Sequence, residues 1–82
     1  MGFDKSKDVA VKEWELHDEN SDTTLHVSVR RYNEGDPKLQ IGPRTFTNKS
    51  GEEKFRKAGR LSAEESFWLL SLSDEIRVAF DD

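Results

Sequence analysis

LHVSVRRY (Leu25–Tyr32), NEGDP (Asn33–Pro37) and KLQIGPRTF (Lys38–Phe46) follow one another, and their reading decides the fold. Two short β-type runs flank a Gly/Pro turn, which is the pattern of a hairpin. Strand side chains alternate between faces. In the first run Leu25, Val27 and Val29 therefore share one face, and His26, Ser28, Arg30 and Tyr32 share the other. In the second run Leu39 and Ile41 fall together, opposite Lys38, Gln40, Arg44 and Phe46. One side of the ribbon is aliphatic and requires a core. The other mixes cations with two aromatic rings. Such a face suits single-stranded nucleic acid, because cations track phosphates and rings stack on bases. Pro43 lacks an N–H, so Gly42-Pro43 marks a strand edge or a kink. If a bulge forms there, the phase beyond it shifts, which bears on Arg44 and Phe46.

The surrounding chain narrows the options. Eighty-two residues make one domain. A chain of this size buries only roughly 60% of its unfolded surface, and oligomerisation is a common remedy. The absence of cysteine excludes disulfides and thiolate metal sites. No apolar run reaches transmembrane length and no signal-peptide pattern is present. A cytoplasmic protein of a bacterial or phage-infected cell is expected, or a nuclear one if the source is eukaryotic. Met1–Ser6 fits the loose myristoylation pattern, but no second membrane signal follows, and no membrane partner is expected.

The net charge of −4 conceals a division along the chain. Residues 1–24 hold three Lys/Arg and seven Asp/Glu, residues 25–61 hold nine and four, and residues 62–82 hold one and six. Positive charge is thus confined to the middle, on strands that also carry aromatics. A polyanion responds to this local footprint within a Debye length, not to the sum.

Outward from the hairpin, residues 1–8 read as a frayed tail and residues 9–82 as the domain. Val9–His17 is a strand candidate, with a short helix as the alternative. As a strand it places Trp14 and Leu16 with Ala10 and Lys12, opposite Glu13, Glu15 and His17. Asp18–Asp22 is a turn cluster. His17, Asp18, Asp22 and His26 lack a recognised ligand spacing, so solvated turn residues are expected there, with no metal and no cofactor. After a loop at Thr47–Glu53, Lys54–Leu61 reads as a fourth strand. Lys54, Arg56 and Arg60 share one face, with Phe55 and Leu61 on the other, and Gly59 marks a bulge or close packing.

Ser62-Ala63-Glu64-Glu65 forms a capping box, and the two glutamates suit the positive end of a helix dipole. From Ala63 to Phe80 the helix would be about 27 Å long. Leu69, Leu72, Ile76 and Ala79 form a stripe, with Phe67, Trp68, Leu70 and Phe80 outside it. That arc is wider than one sheet face normally covers. A second copy is the simplest further partner, with Trp68, Leu69, Leu72, Ile76 and Phe80 as the expected interface.

Four strands and a helix carrying VSVRRY (Val27–Tyr32), KLQI (Lys38–Ile41), RTF (Arg44–Phe46) and KAGRLSAEE (Lys57–Glu65) resemble the positive-cofactor-four family. These are the transcriptional coactivator p15-type proteins, with bacterial and phage relatives. The resemblance spans roughly residues 11–76 and rests on order and spacing, not on one specific motif. It implies an α+β fold: a curved four-stranded antiparallel sheet followed by one helix, dimerised chiefly through the helices. It further implies β-ridges that bind single-stranded DNA with little sequence preference. By position, Arg30 and Tyr32 match the family's DNA-contacting Arg and aromatic. Lys38 matches a basic residue opening the third strand. Phe46 falls near the stacking Trp, Arg44 near its neighbouring Arg, and Lys57 in the basic run before Gly59. The chain departs from the family at Gly42-Pro43, at the Phe46 position and in a one-residue shortfall between Gly59 and Ser62. The absence of a long Ser-rich acidic N-terminal region favours a bacterial or phage type.

The expected function is sequence-tolerant single-stranded DNA binding by a homodimer, supporting transcription regulation, replication or recombination. The expected nucleic-acid residues are Arg30, Tyr32, Lys38, Arg44, Phe46, Lys54, Arg56, Lys57 and Arg60. Unwound duplex or RNA are variant ligands, and transcription or replication proteins are further partners. The alternative is an adaptor that shows the same basic face to an acidic protein, or an RNA-binding module. Two histidines, no cysteine and no phosphate-binding glycine loop give catalysis little to work with.

Overall fold

Alternating burial along residues 23–32 organises the molecule. In the computed structural model, which describes residues 5–81, Leu25, Val27 and Val29 are almost fully enclosed. They lie on β2 (Thr23–Tyr32), which is flanked by β1 (Asp8–Asp18) and β3 (Lys38–Thr47), with β4 (Glu53–Arg56) outside β3. The sheet is antiparallel and its order is β1-β2-β3-β4. Asn33 and Glu34 adopt positive φ, and Gly35 N–H donates to the Tyr32 carbonyl at 2.8 Å, closing the β2–β3 turn. Primed turns of this kind match the twist of paired strands.

Two helices follow, α1 (Ala63–Ser71) and α2 (Ser73–Asp81). The α+β class stands, and the single helix expected over Ala63–Phe80 is corrected to a pair. The Ser71-Leu72-Ser73-Asp74 sequence explains the break. Ser71 Oγ donates back to the Trp68 carbonyl at 2.5 Å, a bond that bends helices. Leu72 N–H donates to the Leu69 carbonyl at 3.0 Å, three residues back, with ψ near 4°. Asp74 and Glu75 then restart the helix as acidic first-turn residues. At the start of α1 the capping box is formed: Glu65 N–H donates to Ser62 Oγ at 3.1 Å, and Ser62 N–H donates to Glu65 Oε1 at 2.9 Å.

The helices cover the Leu25–Val29 face. Leu72 and Ala79 complete the buried apolar set. Each buried Leu or Val contributes roughly 1.5–3 kcal/mol, so this core is thin for the chain it holds. Leu39 and Ile41 pair with Val29 and Val27 and share their face, yet both stay substantially exposed. The cover therefore stops short of the first half of β3.

Two further boundaries and one register differ from the expectation. β1 begins at Asp8, which pairs with Tyr32, while Asn33 N–H donates to the Lys7 carbonyl at 2.9 Å. Residues 1–4 of the expected tail, and with them the start of the myristoylation pattern, lie outside the described residues. An extra residue at Val11 shifts the β1 register, so Ala10 pairs with Arg30 and leaves the face of Lys12 and Trp14. The fourth strand ends at Arg56 instead of Leu61. Gly59 takes φ +65°, and the chain turns towards α1. Among the described residues no helix is long and apolar enough to cross a membrane.

Candidate nucleic-acid interface

The face of the sheet away from the helices carries His26, Ser28, Arg30 and Tyr32 of β2. Glu15, Glu13, Ala10 and Asp8 of β1 lie on one side of them, and Gln40 and Lys38 of β3 on the other. Charge on this face is split. Acidic groups line β1, whereas Lys38 stands exposed on β3.

Arg30 is where the two halves meet. Its Nε donates to Asp8 Oδ2 at 2.8 Å and its Nη1 to Glu13 Oε1 at 3.2 Å. The hydrogen bond to Asp8 holds the guanidinium above its ordinary pKa, against an opposing contribution from burial. Arg30 thus sits on the expected face as a clamp between β2 and β1, with its charge already compensated. Tyr32 ends the same row and is part-exposed.

Beyond Gln40 the strand changes phase. Val27 pairs with Ile41 and Leu25 with Arg44, so Gly42 and Pro43 together oppose the single residue His26. Two residues against one is a bulge. Its consequence corrects two assignments: Arg44 and Phe46 turn to the helix face, and Thr45 takes the open face, where His26 Nε2 meets Thr45 Oγ1 at 3.0 Å. Arg44 is buried. Its Nη1 and Nη2 bind the Glu65 carboxylate, the Nη2–Oε1 contact being 3.1 Å. Its Nε and Nη2 also donate to the Ala58 carbonyl at 3.1 and 2.9 Å, and Nη2 reaches the Arg60 carbonyl at 3.4 Å. Hydrogen bonding from Arg44 lowers the Glu65 pKa although burial opposes it. Arg44 therefore joins β3, the β4–α1 connection and α1, and is closed to a phosphate. Phe46 is half-buried and lies under the Arg56 guanidinium, 5.5 Å from ring centroid to carbon.

The same shift moves Phe55. It pairs with Thr45, stands on the open face and is 77% exposed, so Lys54 and Arg56, two of the expected nucleic-acid residues, turn to the helix face instead. Phe46 and Phe55 exchange roles because one extra residue in β3 inverts everything registered against it. The run KFRK (Lys54–Lys57), a lone ring among three cations, was the available signal for Phe55. Lys54 and Arg56 pair with Phe46 and Arg44 but remain exposed at the β4 edge, as do Lys57 and Arg60 beyond it.

Shallow depressions follow β3. One lies between Tyr32 and Lys38, a second between Arg30 and Pro43, and Gln40 lines both. They lead to a groove of about 780 Å³ between Ile41–Pro43 and Phe55–Leu61.

The expected helical interface divides. Leu72, only 8% exposed, belongs to the chain's own core and is removed from the interface set. Trp68, Leu69 and Ile76 are half-buried, and Phe80 is exposed. Phe67, Leu70 and Val78 are the most outward, at 69%, 67% and 68%. The histidines are engaged locally, His17 with Thr24 and Asp22, and His26 with Thr45 and Glu15. Comparison with protein-family models, with curated proteins and with solved structures gives no match.

Proposed function

We propose that the chain binds single-stranded DNA without sequence preference, as a positive-cofactor-four-like homodimer and along the β3–β4 side of its sheet. The observation that carries this reading is a group of exposed cations around an exposed ring. Lys38, Lys57 and Arg60 are exposed along β3 and the β4–α1 connection together with Phe55; Lys54 and Arg56 flank that ring from the opposite face of β4, and the acidic groups are Glu53 on β4 and Asp8, Glu13 and Glu15 on β1. Cations placed beside an open aromatic ring bind a strand whose bases are unpaired. Outward Phe67, Leu70 and Val78 support the dimer, since a second copy would withdraw them from water. Binding of an acidic protein by the same cations is the competing reading, and it leaves oligo-dT unbound.

Titration of labelled oligo-dT at several salt concentrations tests the proposal. Affinity falls as salt rises, with a log–log slope of about −0.7 per phosphate neutralised. Lys38→Ala and Lys57→Ala each make the slope shallower by roughly one unit per contact. Arg30→Ala leaves the slope nearly unchanged, because Asp8 and Glu13 already compensate that charge. Affinity that stays flat from low to moderate salt would remove the proposal and leave the adaptor in its place.

A further inference from the structure

We infer that the groove between Gly42-Pro43 and Phe55–Leu61 is a nucleobase subsite, with Phe55 as its stacking ring. The inference rests on the single-strand reading above and specifies where a base is held. At about 780 Å³ the groove falls within the roughly 300–1,000 Å³ of ligand sites. Ile41, Pro43, Phe55 and Leu61 supply apolar walls, Arg56 and Lys57 supply cations, and among the described residues no acidic one lines it. Flat apolar surface beside positive charge fits an unpaired base attached to its phosphate. The depression between Arg30 and Pro43, which Glu13 also lines, shares Gln40, Gly42 and Pro43 with this groove, so a strand lying along Lys38 and Gln40 reaches Phe55 on the side away from Glu13.

The two sides of the groove are also fixed against each other at Gly42 and Ala58. Arg44 fixes the Ala58 carbonyl through two hydrogen bonds. Ala58 in turn packs on Gly42, where an added Cβ would come within 3.3 Å of the Ala58 Cβ and the backbone has φ +114°. Only glycine meets both conditions easily. The wall that carries Phe55 is therefore anchored at Ala58 to the buried Arg44–Glu65 pair, while the Phe55 ring itself is left to solvent. Rigid walls reduce the ordering cost of binding.

The test compares wild type, Phe55→Ala and Phe55→Trp on oligo-dT and on the same oligonucleotide with abasic positions. Phe55 is exposed, so the variants keep the wild-type melting temperature. Phe55→Ala weakens oligo-dT binding roughly five- to a hundredfold with the salt slope unchanged. Phe55→Trp restores affinity, and its added fluorescence is quenched by dT. Removing bases costs wild type the same factor and costs Phe55→Ala little. If wild type binds oligo-dT with a steep salt slope and Phe55→Ala binds equally well, the subsite is refuted and the single-strand reading stands. If wild type leaves oligo-dT unbound at low salt but takes an acidic, aromatic-bearing peptide in a Phe55-dependent way, both fall.

Discussion

Arg44→Ala is expected to lower folding stability by about 3–5 kcal/mol, the cost of leaving a buried charge without its partner. The orphaned charge is Glu65, which is 7% exposed. The substitution also strips the donors from the Ala58 and Arg60 carbonyls. For a domain of this size, 1 kcal/mol moves the melting temperature by roughly 4–8 °C. A fall of about 12 °C or more should therefore appear in a circular-dichroism melt. The same pair sets an acid limit. Arg44 holds the Glu65 carboxyl below the usual glutamate range, so the folded pKa is depressed relative to the unfolded one. Its contribution is complete above the unfolded value, about 4.3, and is lost as pH falls through the lower folded value. Wild type loses melting temperature across that window. Glu65→Gln, which can still close the capping box, starts lower and changes less. If Arg44→Ala keeps the wild-type melt and instead flattens the salt dependence of DNA binding, Arg44 is a phosphate contact and the buried-pair account is wrong.

Leu72→Ala is expected to cost about 2–5 kcal/mol of folding stability, as for other buried leucines. Leu72 sits at the junction of α1 and α2, buried against the chain's own core. Leu70, two residues earlier, faces outward. Leu70→Glu should keep the wild-type melt while the mass by light scattering at micromolar concentration drops from dimer to monomer. The two variants separate a residue that holds the fold from one proposed to hold a second copy. A wild-type mass already monomeric would remove the dimer. An unchanged Leu72→Ala melt would remove Leu72 from the core.

Much of the fold was legible because it is written in local pattern. Leu25, Val27 and Val29 alternate with polar residues, and alternation over a few positions fixes which face is buried. Ser62 and Glu65 form the capping box that their spacing of three allows. What escaped depends on residues distant in the chain. The bulge at Gly42-Pro43 exists only relative to His26 on the neighbouring strand, and no count along β3 alone places it. Its effect reached Arg44, Phe46 and Phe55 together, since a single-residue slip inverts each of them. The pairing of Arg30 with Asp8 and Glu13 is likewise a cross-strand event. It holds Arg30, an expected phosphate contact, between two strands. The break at Leu72 did have a local cue in Ser71, Ser73 and Asp74. Apolar residues continuing on both sides made one long helix the simpler reading.

The central claim is that single-stranded DNA is bound along β3 and the β4–α1 connection, away from the acidic β1 edge. Amide chemical-shift mapping of the ¹⁵N-labelled protein during titration with oligo-dT tests it most directly. The account predicts shifts concentrated on Lys38–Gly42 and Phe55–Leu61, with the Glu13–Leu16 amides left in place. Amides that stay fixed under excess oligo-dT, or that move only on β1 and the helices, would contradict it.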